Sequence, residues 1–169
     1  LERWGFNMQN AFEFFGLTPS LNLDAKQLRV RYIEIQRQGH PDLKGDDSSE
    51  IDVIELANRF YEELRTSRGV VRAYLLSMDV VDLNQNRLPK DFLFEMMGLN
   101  DEIDEKHAGD LAAGERAGAL LNQAEIELTE ALNLLKDASS PNLDELVEWY
   151  QKSKYLDRLR KNFLGIEEI

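Results

Sequence analysis

The chain has 169 residues, 43% of them hydrophobic, which is enough for a core in one domain or two small ones. It has no cysteine and two histidines, so disulfides, iron-sulfur ligation and thiol catalysis by this chain are excluded and little is left for zinc. A net charge of -12 argues against general binding to nucleic acid or anionic membranes, whose phosphates need Lys and Arg, and no run approaches the roughly 18 apolar residues of a membrane span.

The charge is uneven. Residues 1–78 carry a net -2 and residues 79–169 a net -10, which suggests two modules. Leu1 is not an initiator, and the N-terminus shows neither a signal nor a transit pattern. Residues 1–7, LERWGFN, are therefore set aside, and the chain is expected to be soluble and intracellular.

Strand signals are scarce, because no stretch sustains apolar/polar alternation and β-branched residues rarely cluster. The expected fold class is all-α. A short apolar helix at Asn10 to Phe15 stops at Gly16, and TPS follows as a loop. Asp24, with Gln27 three residues on, makes a capping-box-like start for a second helix that runs to about Gln38 and aligns Leu28, Tyr32 and Ile35. A third helix begins near Ser49, presents Val53, Leu56, Phe60 and Leu64, and ends near Thr66. After GVVRAYLLSM, also helical, the Asn, Asp and Pro of DVVDLNQNRLP mark a boundary, and Pro89 suits a helix start.

Three helices are expected beyond it. Leu121, Ala124, Leu128, Ala131 and Leu135 alternate by three and four residues, the seam of an antiparallel bundle. ASSPN is a turn, and Asn142 with Glu145 offers a capping box before a helix carrying Leu143, Val147, Tyr150, Leu156, Leu159 and Phe163.

Two stretches exceed what folding alone asks. In KDFLFEMMGLNDEIDEK, Phe92, Met96, Leu99 and Ile103 form a core stripe about 60° wide, but Leu93, Phe94 and Met97 lie roughly 90 to 190° away from its centre, beside Asp101 and Glu105. Either sister helices cover this second group, or it is an exposed apolar patch with an acidic rim, the kind of surface that binds another protein. The other stretch is IQRQGHPDLKGDD. Gly39 and Pro41 are explained by helix termination, and Asp42 and Asp46 can be ordinary loop residues. The histidine beside Pro-Asp is not so explained, nor is the +2 charge of segment 24–38, where Lys26, Arg29, Arg31 and Arg37 face Asp24 and Glu34.

A basic amphipathic helix, then His40-Pro41-Asp42, a polar loop and a longer antiparallel helix resembles a J-domain, the module that stimulates ATP hydrolysis by DnaK-class heat-shock chaperones. Over residues 9–165 the chain resembles the HscB family of co-chaperones of iron-sulfur cluster assembly, through FEFFGL, LRVRYIEIQRQGHPD, YLLSM, DFLFEMMGLNDEIDE and KSKYLDRL. The resemblance implies a J-domain at 8–79, a linker at 80–89 and a three-helix client-binding bundle at 90–169, set in an L. It also implies no enzyme activity and no cofactor or metal. Its partners would be a DnaK/HscA-class chaperone, met by His40, Pro41, Asp42, Arg29, Arg31 and Arg37, and an IscU-like scaffold protein, met by Leu93, Phe94, Met97, Asp101, Glu105 and Tyr155.

Pro41 would hold His40 and the Asp42 carboxylate out of the helix, the latter suited to a charge-assisted bond with an arginine, while the arginines steer the encounter. Several positions depart from the family pattern. Gly39 and Leu43 flank the tripeptide where an aromatic or histidine and a lysine are usual, RTSRGVV replaces an Asp-Pro helix end, and Gly98 stands where an acidic residue often sits. The alternatives are a J-domain protein or helical adaptor with a different client, and a carboxylate-metal enzyme. The latter has many Asp and Glu residues and Asp104 with His107 in its favour, but a di-iron bundle expects two Glu-x-x-His helices with further inward glutamates. Met8, taken as a start, leads at once into the domain, as in bacterial members. The bacterial cytoplasm is therefore the expected compartment, with the mitochondrial matrix as the alternative.

Overall fold

Asn10 accepts the Phe12 N–H on its side-chain oxygen at 2.9 Å, which caps α1 (Ala11–Phe14). The computed structural model describes residues 10–38, 48–83 and 88–166. All regular structure among them is helical: α1 is followed by α2 (Ala25–Gln38), α3 (Ser48–Leu64), α4 (Ser67–Ser77), α5 (Lys90–His107), α6 (Leu111–Asp137) and α7 (Leu143–Leu164). The chain divides into two compact units, Leu1–Val81 and Asp82–Ile169.

In the first unit, α1 closes at Gly16, whose φ of +62° is the left-handed conformation that favours glycine. The Asp24 carboxylate accepts from Lys26 N at 2.8 Å and caps α2, without the return bond from Gln27 that a full capping box needs. Leu28 is buried, and Tyr32 and Ile35 pack half-buried against a core of Phe12, Phe14, Phe15, Ala57, Phe60 and Leu64. Two contacts fix the pairing of α2 with α3. The Tyr32 and Tyr61 rings stack at 4.1 Å, and Tyr32 Oη and Gln36 Nε2 both donate to Asn58 Oδ1 at 2.8 Å.

The α3–α4 corner depends on Gly69. A Cβ there would lie 1.9 Å from the Glu63 carbonyl oxygen, so only glycine admits this approach, while Thr66 Oγ1 accepts the Gly69 N–H at 3.0 Å. RTSRGVV thus makes a sharp turn without Asp-Pro.

In the second unit, Asp110 caps α6 by accepting from Ala113 N at 3.1 Å. Asn142 caps α7 by accepting from Asp144 N at 3.0 Å, and its amide donates to Glu145 at 3.2 Å. Met96, Leu99 and Ile103 of α5, Ala117 and Leu121 of α6, and Leu156 and Leu159 of α7 form the core. Phe92 completes the expected α5 stripe from a half-buried position. Arg160 clamps α7 to α6 through bonds of 2.9 and 2.8 Å to the two Glu125 carboxylate oxygens and 2.7 Å to Asn122. The segment expected to be a linker contributes Leu83, which is buried and accepts from Gln151 Nε2 at 3.1 Å.

The α6 seam differs from expectation. Leu121 is buried and Ala124 and Leu128 pack against the core, but Ala131 is exposed and Leu135 only half-buried, while Leu132 is buried instead. Helix lengths explain this. With 27 residues against 18, α6 is about 13 Å longer than its antiparallel neighbour α5 at 1.5 Å per residue. The two helices are in register at their other ends, where Lys106 packs on Gly114 and Arg116 pairs with Glu102. The last turns of α6 therefore lie beyond the start of α5.

Candidate functional sites on each unit

The first unit presents the basic face of α2. His40, Pro41 and Asp42 lie outside the described residues, as do Gly39 and Leu43. Arg29, Arg31 and Arg37 are all exposed, yet they are not equivalent. Arg31 is neutralised by Glu34 at 3.1 Å, on the far side of the helix from Arg29 and Arg37. Neither Arg29 nor Arg37 has a carboxylate partner among the described residues. At about 100° per residue, Lys26, Arg29, Val30, Ile33 and Arg37 share one outward face within about 100°. Val30 is 54% and Ile33 36% exposed. Along the helix axis this face is apolar in its middle, with Lys26 and Arg37 at its two ends and Arg29 at one edge. Lys26, Val30 and Ile33 were not among the site residues expected from sequence, although the same wheel that placed Leu28 in the core would have found them.

The second unit presents a face of α5. Its core stripe ends at Ile103, and the residues turned away from it stand in solvent: Phe94 is 79% and Met97 62% exposed, and Leu93 is half-buried at their edge. Asp101 and Glu105 are exposed beside them, Glu105 lying 3.6 Å from Arg116. Arg116 is held charged more firmly than an ordinary arginine, first by its hydrogen bond to Glu102 and then by the charges of Glu102, Asp110 and Glu105. At Gly98 an added Cβ would meet nothing, so the rim is open where the family pattern has an acid. The core reading of this second apolar group thus does not hold for Phe94 and Met97.

Tyr155 has a different environment from the rest of the patch. It is half-buried against the core, its ring edge-on to Phe92 at 5.9 Å, and the Arg158 guanidinium lies 4.6 Å from its centroid. Arg158 is exposed and was not foreseen, because nothing sets it apart from the three other basic residues of KYLDRLRK.

No group of three His, Asp or Glu side chains among the described residues could hold a metal ion. His107, which the carboxylate-metal alternative requires, has Nε2 2.9 Å from the Asn162 carbonyl, which can only accept, so this nitrogen donates there. No helix among the described residues is long and apolar enough to cross a membrane.

Residues 88–163 match the family model described as the HSCB C-terminal oligomerisation domain. Among solved structures the fold is similar to that of human co-chaperone protein HscB, with a TM-score of 0.71, 20% identity, and coverage of 95% of this chain and 83% of that one. It is also similar to chaperone HscB from Vibrio cholerae, with a TM-score of 0.64, 22% identity, and coverage of 94% and 97%. The architecture is therefore that of a J-domain joined to a C-terminal helical bundle. Over residues 88–163, the C-terminal bundle therefore matches the C-terminal domain of the HscB family.

Proposed function

We propose that the protein is a co-chaperone of iron-sulfur cluster assembly, without an active site of its own, that brings an IscU-like scaffold protein to a DnaK/HscA-class chaperone and stimulates that chaperone's ATP hydrolysis. The observation that carries this reading is the exposure of Phe94 and Met97 in a chain that also contains His40-Pro41-Asp42. Two large apolar side chains in water, on a helix whose opposite face is fully used in the core, are accounted for by a protein partner.

The two surfaces would act in sequence. Lys26, Arg29 and Arg37 attract an acidic surface of the chaperone's ATPase domain over a Debye length, and Val30 and Ile33 supply apolar contact once the helix lies down. Asp42 then offers a carboxylate to an arginine, with Pro41 limiting the backbone conformations of the loop. No bond is made or broken on this chain. It acts by binding one state of the chaperone better than the other, and the shift cannot exceed that difference in affinity. Meanwhile Leu93, Phe94, Met97 and Tyr155 hold the scaffold, with Asp101 and Glu105 orienting it. The compartment on this reading is the bacterial cytoplasm, the alternative being the mitochondrial matrix.

A second reading, a J-domain protein with a different client, draws on the missing rim acid at Gly98. One experiment separates them: single-turnover ATP hydrolysis by a DnaK-class chaperone, measured with and without an IscU-like scaffold. Stimulation by this protein that rises further with scaffold supports delivery. Stimulation that is indifferent to scaffold supports another client, and no stimulation at all removes both.

A further inference from the structure

The uncovered end of α6 carries an inference separate from the Phe94 and Met97 patch. A groove of about 790 Å3 opens where α5 begins, between the C-terminal half of α6 and the start of α7. Leu128, Ala131, Leu134 and Leu135 of α6, Phe92 of α5 and Trp149 of α7 line it. Leu134 is 74% exposed and Ala131 is exposed, so much of this lining is in water.

Two observations say what fits. The first is spacing. Leu121, Ala124, Leu128, Ala131 and Leu135 recur by three and four, the pattern that receives a helix packed alongside. α5 covers the first part of this seam and stops, and the part left bare has the same form. A guest helix would continue the line that α5 leaves.

The second is charge. Asp91, Glu95, Glu127, Glu145 and Glu148 surround the groove against a single cation, Lys152, which is already paired with Glu148 at 2.6 Å. Glu127 and Glu145 accept bonds from Gln123 and Asn142, but Asp91 and Glu95 have neither a hydrogen bond nor an ion pair among the described residues. An acidic rim repels the similarly acidic second half of another copy, net -10 over residues 79–169, and attracts a cationic segment.

We propose that this groove docks an amphipathic helical segment of a partner protein, apolar on one face and bearing Lys or Arg along its flanks. The site shares neither Phe94 nor Met97 with the scaffold surface, so both could be occupied on one molecule. It does not depend on the function proposed above.

The test uses the full chain with Trp4→Phe, which leaves Trp149 as its one tryptophan. Trp149 is well placed to report, since it lines the groove and donates from Nε1 to the Leu128 carbonyl at 2.7 Å. The probe is an 18-residue Leu/Lys peptide of helical period, labelled with fluorescein and followed by anisotropy alongside Trp149 emission. Saturable binding that changes Trp149 emission is expected. Leu134→Gln, an exposed neutral change, and Asp91→Lys/Glu95→Lys should each weaken it about tenfold, while Phe94→Ser/Met97→Ser should leave it unchanged. A scrambled peptide of the same charge should bind at least about tenfold more weakly, since only the amphipathic form can seat. Equal binding by the scramble, indifference to Leu134→Gln, loss in Phe94→Ser/Met97→Ser, a Trp149 change on self-association without peptide, or no binding by the parent chain would each overturn the proposal.

Discussion

Phe92 holds Tyr155 edge-on, their ring centroids 5.9 Å apart, so the one aromatic residue that α7 offers to the proposed scaffold surface is also a packing element of the bundle. The two roles can be separated by substitution. Tyr155→Ala should weaken scaffold binding and also lower stability by about 2 kcal/mol, through lost burial and the lost ring pair. Tyr155→Phe keeps both contacts and should change stability by less than about 0.5 kcal/mol. Urea unfolding beside calorimetric titration with scaffold reads the two effects, and a Tyr155→Ala variant of normal stability would contradict the packing role.

Phe94→Ala/Met97→Ala should behave otherwise. Both side chains stand mostly in water, so unfolding stability should stay within about 0.5 kcal/mol of the parent while scaffold affinity falls by at least about tenfold. ATPase stimulation without scaffold should be unaltered. Equal loss of stability and binding would return these residues to the core reading.

On the first unit, His40→Gln or Asp42→Asn is expected to abolish ATPase stimulation without altering helical content by circular dichroism. The arginines should divide. Arg29→Ala, Arg37→Ala and Lys26→Ala each remove a charge from one outward face, and each should slow association with the chaperone several-fold at low salt, an effect that fades above physiological ionic strength. Arg31→Ala also removes Glu34's partner and should matter least. Stopped-flow association rates across a salt series would show this, and an Arg31 effect as large as that of Arg37 would refute the assignment.

Arg160→Ala should cost about 1 to 2 kcal/mol, because it breaks a two-pronged bond to Glu125 that is part-buried between α6 and α7. The bond to Glu125 raises the pKa of Arg160 above its ordinary value. A group raised on folding stabilises below its unfolded pKa and loses that contribution only as pH rises through the folded one. From pH 6 to 9 the arginine's contribution should therefore stay flat, and the difference between Arg160→Ala and the parent in urea unfolding should be constant over that range. A difference that shrinks toward pH 9 would be inconsistent with the raised pKa.

Gly69→Ala places a Cβ on the Glu63 carbonyl oxygen, a clash of backbone with side chain that no rotamer relieves. It should destabilise the first unit by more than about 3 kcal/mol, seen as an early transition in thermal unfolding while the second unit keeps its own melt. A single unshifted transition would show that the α3–α4 corner can relax.

Much of the chain could be read locally. Asn10, Asp24 and Asn142 announce their helices because a cap acts within one turn of the residue that makes it. The stripes Leu28–Tyr32–Ile35 and Met96–Leu99–Ile103 follow from helical period alone, and His40-Pro41-Asp42 is a matter of composition and order. What sequence could not decide was which apolar groups lie in water. Phe94 and Leu99 are equally apolar on paper, and Ala131 continues the seam of Ala124 without a break, yet Phe94 and Ala131 are exposed while Leu99 is buried and Ala124 packs against the core. Exposure depends on where a neighbouring helix starts and stops and on which side chains reach across. Those are relations between segments distant in the chain, and only the assembled tertiary structure contains them.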